Sequence, residues 1–134
     1  MHKSYLVTGA IFGGLAVALG AFGAHGLQQA TNDEKIVHGF QTAVQYQMYH
    51  ALALLIVAVI YEKIPGKWVK WSGILFIAGI ILFSGSLYLL TSLKISGSTT
   101  VKFVGPITPV GGIFFIAGWL FLIVGCLKQK KSQG

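Results

Sequence analysis

Residues Phe40 to His50 read F-Q-T-A-V-Q-Y-Q-M-Y-H and run without a break into A-L-A-L-L-I-V-A-V-I-Y. Glutamines, tyrosines and a histidine thus share one helix with a stretch apolar enough to enter a bilayer. Uncharged polar groups are expensive in hydrocarbon unless they bond to protein or line a wet cavity. The amides and phenols could bind a solute or a neighbouring helix. His50 alone could do more, because imidazole titrates near neutrality and can carry a proton or ligate a metal.

Other side chains restrict those chemistries. The only acids are Asp33, Glu34 and Glu62, all outside the apolar stretches, so a carboxylate-driven proton carrier is excluded. His25, His38 and His50 all fall toward one end of the spans, but their separations match no compact ligand motif. Zinc wants four ligands, or three and a water, and a bis-histidine haem would rest on His25 and His50 alone. One cysteine, Cys126, excludes an internal disulfide, a four-thiolate zinc site and an iron–sulfur cluster. It stands at the end of the last helix, where acylation is feasible and a buried thiol is the simpler expectation. No serine, threonine or cysteine has a visible base and orienting acid. The residues indicate no catalytic site, no metal, no cofactor and no enzyme.

The elements that must position the polar residues follow from composition. The chain of 134 residues is 54% hydrophobic and 10% charged, against about 25% charged in soluble domains. Four apolar stretches, Tyr5–Ala24, Thr42–Tyr61, Trp71–Leu93 and Pro106–Leu127, each have the ~20 residues that span a bilayer. They consume most of the chain. The expectation is a single all-α domain over residues 1–134, an integral membrane four-helix bundle. All ten basic residues are lysines in loops and at ends. Lys3, Lys63, Lys67, Lys70, Lys128, Lys130 and Lys131 lie on one side, and Lys35, Lys94 and Lys102 on the other. The positive-inside rule then puts both termini in the cytoplasm. The net charge of +7 points to anionic lipid at the inner face, not to nucleic acid. Trp68 and Trp71 read as an interfacial anchor. A cleaved signal peptide is the alternative for the first stretch, with Ala21-Phe22-Gly23 as its cleavage site, but the apolar run is longer than a signal core.

Small residues at Gly9, Gly13, Ala16, Gly20 and Ala24 form a stripe on the first helix, and Gly111, Gly118 and Gly125 form one on the last. Such stripes let backbones approach closely; they read as static packing and would also allow a homo-oligomer or a membrane-protein partner. Thr31-Asn32-Asp33-Glu34 matches a capping box that starts the second helix well before the membrane, with a bend foreseen near Gly39. A short turn holds Pro65-Gly66, and Ser96–Gly105 forms a polar outer loop. Thr108 is placed to cap the last helix, with Pro109 as its first residue. Gly73–Gly79 echoes Gly112–Gly118, too weakly to establish a repeat.

Counting 1.5 Å per residue puts His50 about 12 Å below the outer surface, level with Ser84 and Ser86. Tyr88 comes out level with Gln45 and Tyr46, and Thr108 opens the last helix on the same side. The inner half is nearly all apolar, which argues against an open pore. The candidate polar cluster is therefore Gln41, Gln45, Tyr46, Gln47, His50, Ser84, Ser86, Tyr88 and Thr108. It is either interhelical hydrogen bonding or an outward-facing pit. On the helical wheel His38, Gln41, Thr42, Gln45 and Tyr49 share a face, with Tyr46 and His50 beside it and Gln47 opposite. An arc so wide cannot touch one neighbouring helix only.

Three segments carry a family resemblance: G-A-F-G-A-H-G-L from Gly20, F-Q-T-A-V-Q-Y-Q-M-Y-H-A-L from Phe40, and Gly105 to Trp119 around P-I-T-P-V-G-G. Gly85-Ser86-Leu87-Tyr88 adds a fourth. In this order they resemble domain-of-unknown-function family 423, small bacterial multi-pass membrane proteins of the YwdK and YgdD type. Small eukaryotic transmembrane proteins of the number 256 type look related. The resemblance implies a four-helix plasma-membrane protein without assigned activity, and it counts against signal cleavage because the pattern includes the end of helix one. The functional expectation is a non-enzymatic organising or accessory protein with a structural polar cluster. The alternative is a component that binds or transports a small polar solute or lipid headgroup from the outer side.

Overall fold

The computed structural model describes residues 2–129; Lys130, Lys131 and Ser132 lie outside them. The described chain is helical almost throughout. Helix α1 (Lys3–Phe22) continues through a π-helical turn (Gly23–Leu27) into the short α2 (Gln28–Ala30). Helix α3 (Glu34–Lys63) comes next. Helix α4 (Lys67–Gly79), a second π turn (Ile80–Ser84) and α5 (Gly85–Ile95) form one continuous rod, and α6 (Val101–Val104) precedes α7 (Ile107–Leu127). Lys3–Ala30, Glu34–Lys63, Lys67–Ile95 and Val101–Leu127 are each long and apolar enough to cross a membrane. The fold is an all-α membrane bundle.

Packing is organised by the small residues. Helix α1 lies along α3, and α4 with its π turn lies along α7, while α3 meets α4 and α5. A β-carbon at Gly9 would sit 2.8 Å from Leu55 Cδ2 and 3.0 Å from the Ala51 carbonyl oxygen. Gly13 faces Ala51 and Met48, Gly20 faces Val44, and Ala16 is fully buried. On α7, Gly111 rests against the Phe83 backbone, Gly118 against Phe76, and Gly125 against Val69. Both stripes are therefore occupied inside the bundle. Ala24 leaves the stripe and is exposed, because the π turn widens the helix there and rotates the residues beyond Phe22 about its axis. Between these contacts Tyr5, Leu54, Val57, Val69, Phe76, Ile80 and Phe115 make the core.

Several ends differ from the sequence reading. Asp33, not Thr31, caps α3: its carboxylate accepts from Lys35 N at 2.9 Å, while Thr31 Oγ1 accepts from Asp33 N at 3.1 Å. Two short turns in series replace the single capping box. Helix α3 runs through Gly39 without interruption. Thr108 is not a cap either. Pro106 holds that position with no side-chain bond, and Pro109 falls inside the first turn, where a missing N–H costs nothing. The turn between α3 and α4 is only Ile64 to Gly66, tighter than the sequence suggested, and α6 occupies part of the loop between α5 and α7. Helix α5 stops in a glycine-closed end: Gly97 has φ +74°, its N–H reaches Lys94 O, and Ser98 N reaches Leu93 O. Cys126 is exposed, not buried, since the α7 stripe turns the glycines inward and the thiol outward.

Candidate functional site

Gln47 is the centre of the polar arrangement. It is 3% exposed. Its Nε2 donates to the Phe12 carbonyl of α1 at 2.8 Å, and its Oε1 accepts from the Tyr88 hydroxyl of α5 at 2.6 Å. One amide thus uses both its functions to hold α1, α3 and α5 together. A helical carbonyl has a second lone pair, so Phe12 accepts without giving up a helical bond.

His50 does the same work toward α7. Its Nδ1 lies 2.8 Å from the Tyr46 carbonyl, and the Trp119 indole N–H donates to its Nε2 at 3.0 Å. A carbonyl only accepts and an indole only donates, so the ring is neutral with its proton on Nδ1. Phe115 stacks on the imidazole, with centroids 3.6 Å apart and planes 9° apart, and Phe76 closes a second side. Ser84 Oγ donates to the Ala43 carbonyl at 2.7 Å. Ser86 shares a short hydroxyl–hydroxyl contact with Thr108, joining α5 to α7, and also donates to Phe83 O at 2.9 Å.

The structure thus brings Gln47, His50, Ser84, Ser86, Tyr88 and Thr108 into bonds between or along helices. It does not bring in Gln41 or Gln45, which are exposed. Tyr46 contributes its carbonyl, and its ring lies against Phe83 with centroids 4.9 Å apart. The polar arc is split by its width: Gln47 points into the bundle, and Gln41, Gln45 and Tyr49 point out. His50 is also not level with Ser84, which meets Ala43 about 10 Å nearer the start of α3. Because α4 begins at Lys67 rather than near Trp71, every later residue lies farther along.

Sequence reasoning missed Trp119 and the Phe12 carbonyl. An indole N–H deep in hydrocarbon needs an acceptor, and that signal pointed to Trp119; a backbone carbonyl leaves none. It also missed a cluster at the other end of the bundle. Tyr5 donates to the Lys70 carbonyl, His2 stacks on Tyr5 with centroids 3.8 Å apart, and Tyr61 meets His2 edge-on. Lys67 and Lys128 place their ammonium groups 5.6 and 5.0 Å from the Trp68 ring centroid. Among the described residues no three histidine, cysteine, aspartate or glutamate side chains converge as metal ligands.

Residues 19–112 match the family model described as "Protein of unknown function (DUF423)", a region that holds most of the polar network. The chain belongs to this family. It is 46% identical over 126 residues to the UPF0382 membrane protein SAB0533 of Staphylococcus aureus, covering 94% of this chain and 97% of that one. The UPF0382 membrane protein YwdK of Bacillus subtilis is likewise 46% identical, with 94% and 98% covered. The UPF0382 inner membrane protein YgdD of Escherichia coli is 40% identical, with 95% and 92% covered. No solved structure matches significantly. Relatives and helices together make this family member a multi-pass protein of the bacterial cell membrane, of a kind with no assigned activity.

Proposed function

We propose that the chain is a non-enzymatic accessory or organising protein of the membrane, and that its buried polar residues are structural. The observation that carries this reading is that the network is closed on itself. Gln47 spends its amide on Phe12 and Tyr88, and His50 spends both nitrogens on Tyr46 and Trp119. No lone pair on the imidazole is left to accept a proton from Ser84 or Ser86, whose hydroxyls are engaged elsewhere. Within this network, general-base or nucleophilic chemistry has no group to start from. In this reading the termini are cytoplasmic, and Lys67 and Lys128, braced on Trp68, meet anionic lipid at the inner surface.

A second reading has one observation in its favour. A groove of about 680 Å³ between α2 and the start of α3 is lined by Gln28, Thr31, Asn32, Lys35, His38 and Gln41 among others, polar groups suited to a small solute or a headgroup at the outer surface. His50→Leu tests the first reading. With a structural network, the change strands the Trp119 N–H and costs about 1–2 kcal/mol, read as a lower melting temperature, and Trp119→Phe in the same chain recovers part of it. A variant that melts higher than the parent sinks the structural reading.

A further inference from the structure

Two cavities open at the end of the bundle where α2 meets the start of α3, and they share Gln41 as a wall. The larger, of about 680 Å³, holds polar groups: Gln28 and Asn32 beside the turn, then Glu34, Lys35 and His38. The smaller, of about 350 Å³, runs between α1 and α3 and is lined by Gly20, Gly23, Phe40, Val44 and Gln45 besides Gln41. Each falls in the ~300–1,000 Å³ range of small-molecule sites. Lys35, His38, Gln41 and Gln45 recur at intervals of three and four on one face of α3. At 1.5 Å per residue they descend about 15 Å along the helix. A β-carbon at Gly20 would lie 3.4 Å from Val44 Cγ1, and one at Gly23 would lie 2.9 Å from Phe40 Cδ1. Bare α1 backbone therefore forms one wall of an apolar slot. The order along the groove is charge, then amide, with hydrocarbon beside the amides.

That order matches the parts of a phospholipid. We propose that the groove binds one phospholipid whose headgroup is a zwitterion with a primary ammonium, of the phosphatidylethanolamine kind. The inference rests on, and narrows, the reading of the larger cavity as a solute or headgroup site. Glu34 and Lys35 put one charge of each sign at its mouth, and neither takes part in an ion pair among the described residues. A purely anionic headgroup would meet Glu34 and a purely cationic one Lys35, whereas a zwitterion answers both. A primary ammonium also donates to the carboxamide oxygens of Gln28 and Asn32. A quaternary ammonium donates nothing and is held by aromatic faces. Among the described residues that line this cavity the only ring is the His38 imidazole. The phosphodiester then lies toward Lys35 and Gln41, and the glycerol esters lie toward Gln45, whose amide N–H groups donate to carbonyl oxygens. One acyl chain starts in the slot against Phe40 and Val44. Water can satisfy the polar mouth of the empty groove, and a soluble zwitterion could enter it. Only an amphiphile fills mouth and slot together.

The test uses the full chain in a nonionic detergent, titrated with phosphatidylethanolamine, phosphatidylglycerol or phosphatidylcholine of identical acyl chains. Native mass spectrometry counts the lipids that each chain retains. One phosphatidylethanolamine should be held about fivefold more tightly than either other lipid, the upper range for a partly exposed ion pair. Glu34 is exposed and does not cap α3, so Glu34→Gln keeps the fold and should abolish the margin over phosphatidylglycerol. Gly20→Leu puts a side chain into the slot and should lower the retention of phosphatidylethanolamine. Soluble glycerophosphoethanolamine, which lacks the chains, should bind about tenfold more weakly than the lipid, the order expected from losing two buried methylene groups. Equal retention of the three lipids, or a preference that survives Glu34→Gln, would overturn the proposal. A soluble headgroup that binds as tightly as the lipid would also overturn it, and the solute reading of the groove would stand. If neither the lipid nor its soluble headgroup binds, the proposal fails together with the headgroup half of that reading.

Discussion

Replacing Tyr88 by Phe removes one hydroxyl and leaves the Gln47 Oε1 without its 2.6 Å partner. The bundle should lose about 0.5–1.5 kcal/mol, measured as a lower midpoint of unfolding in mixed detergent. Gln47→Leu should cost more, because it strands the Tyr88 hydroxyl and gives up the bond to Phe12 as well. Combining the two changes should cost less than their sum, by roughly the 0.6 kcal/mol typical of one interhelical hydrogen bond. Strict additivity would mean that the pair is not a tie. The types of these side chains were legible in the sequence, and their partners were not. A glutamine in hydrocarbon announces that it needs bonds, and the wheel even put Gln47 opposite the other polar residues. Nothing in the string says that its acceptor is the carbonyl of Phe12, since every residue carries one.

Helices respond to glycine according to what stands opposite. A β-carbon at Gly111 would run into the backbone N and Cα of Phe83, and a backbone cannot rotate away. Gly111→Ala should therefore push α7 off the second π turn and cost about 1–3 kcal/mol. Gly39 has nothing within 4 Å of the same position, so Gly39→Ala should be neutral or stabilise by up to ~1 kcal/mol through helix propensity. Thermal melts of the two variants should move in opposite directions or differ clearly in size. Element existence was readable because length and apolarity decide it; both glycine stripes were readable because their period matches the helix. The two π turns were invisible. Gly23–Leu27 and Ile80–Ser84 look like ordinary helix in composition, and an extra residue in a turn changes the face on which each later side chain falls. Counting depth from estimated boundaries then misplaced Ser84 against His50, even with the right helices in hand.

For the molecule as a whole, the orientation drawn from the lysines predicts a labelling pattern. With Cys126 removed, a cysteine at Ser98, in the turn after α5, should react with an impermeant thiol reagent in intact cells. One at Pro65, between α3 and α4, should react only after the membrane is opened. Labelling at Pro65 from outside would reverse the topology. The closed network has another consequence, which concerns the order in which the protein is made. Gln47 meets Phe12 and waits for Tyr88, and His50 waits for Trp119, 69 residues later in the chain. A ribosome delivers these helices one after another, so the imidazole Nε2 stays without its donor until α7 has entered the bilayer. Chains that end before α7 carry His50 unlatched. They should be cleared by membrane quality-control proteases far faster than chains that include α7, and a pulse-chase of the two lengths would measure the difference. The latch thus marks the arrival of α7: Trp119 brings the donor that His50 has lacked since α3 was made.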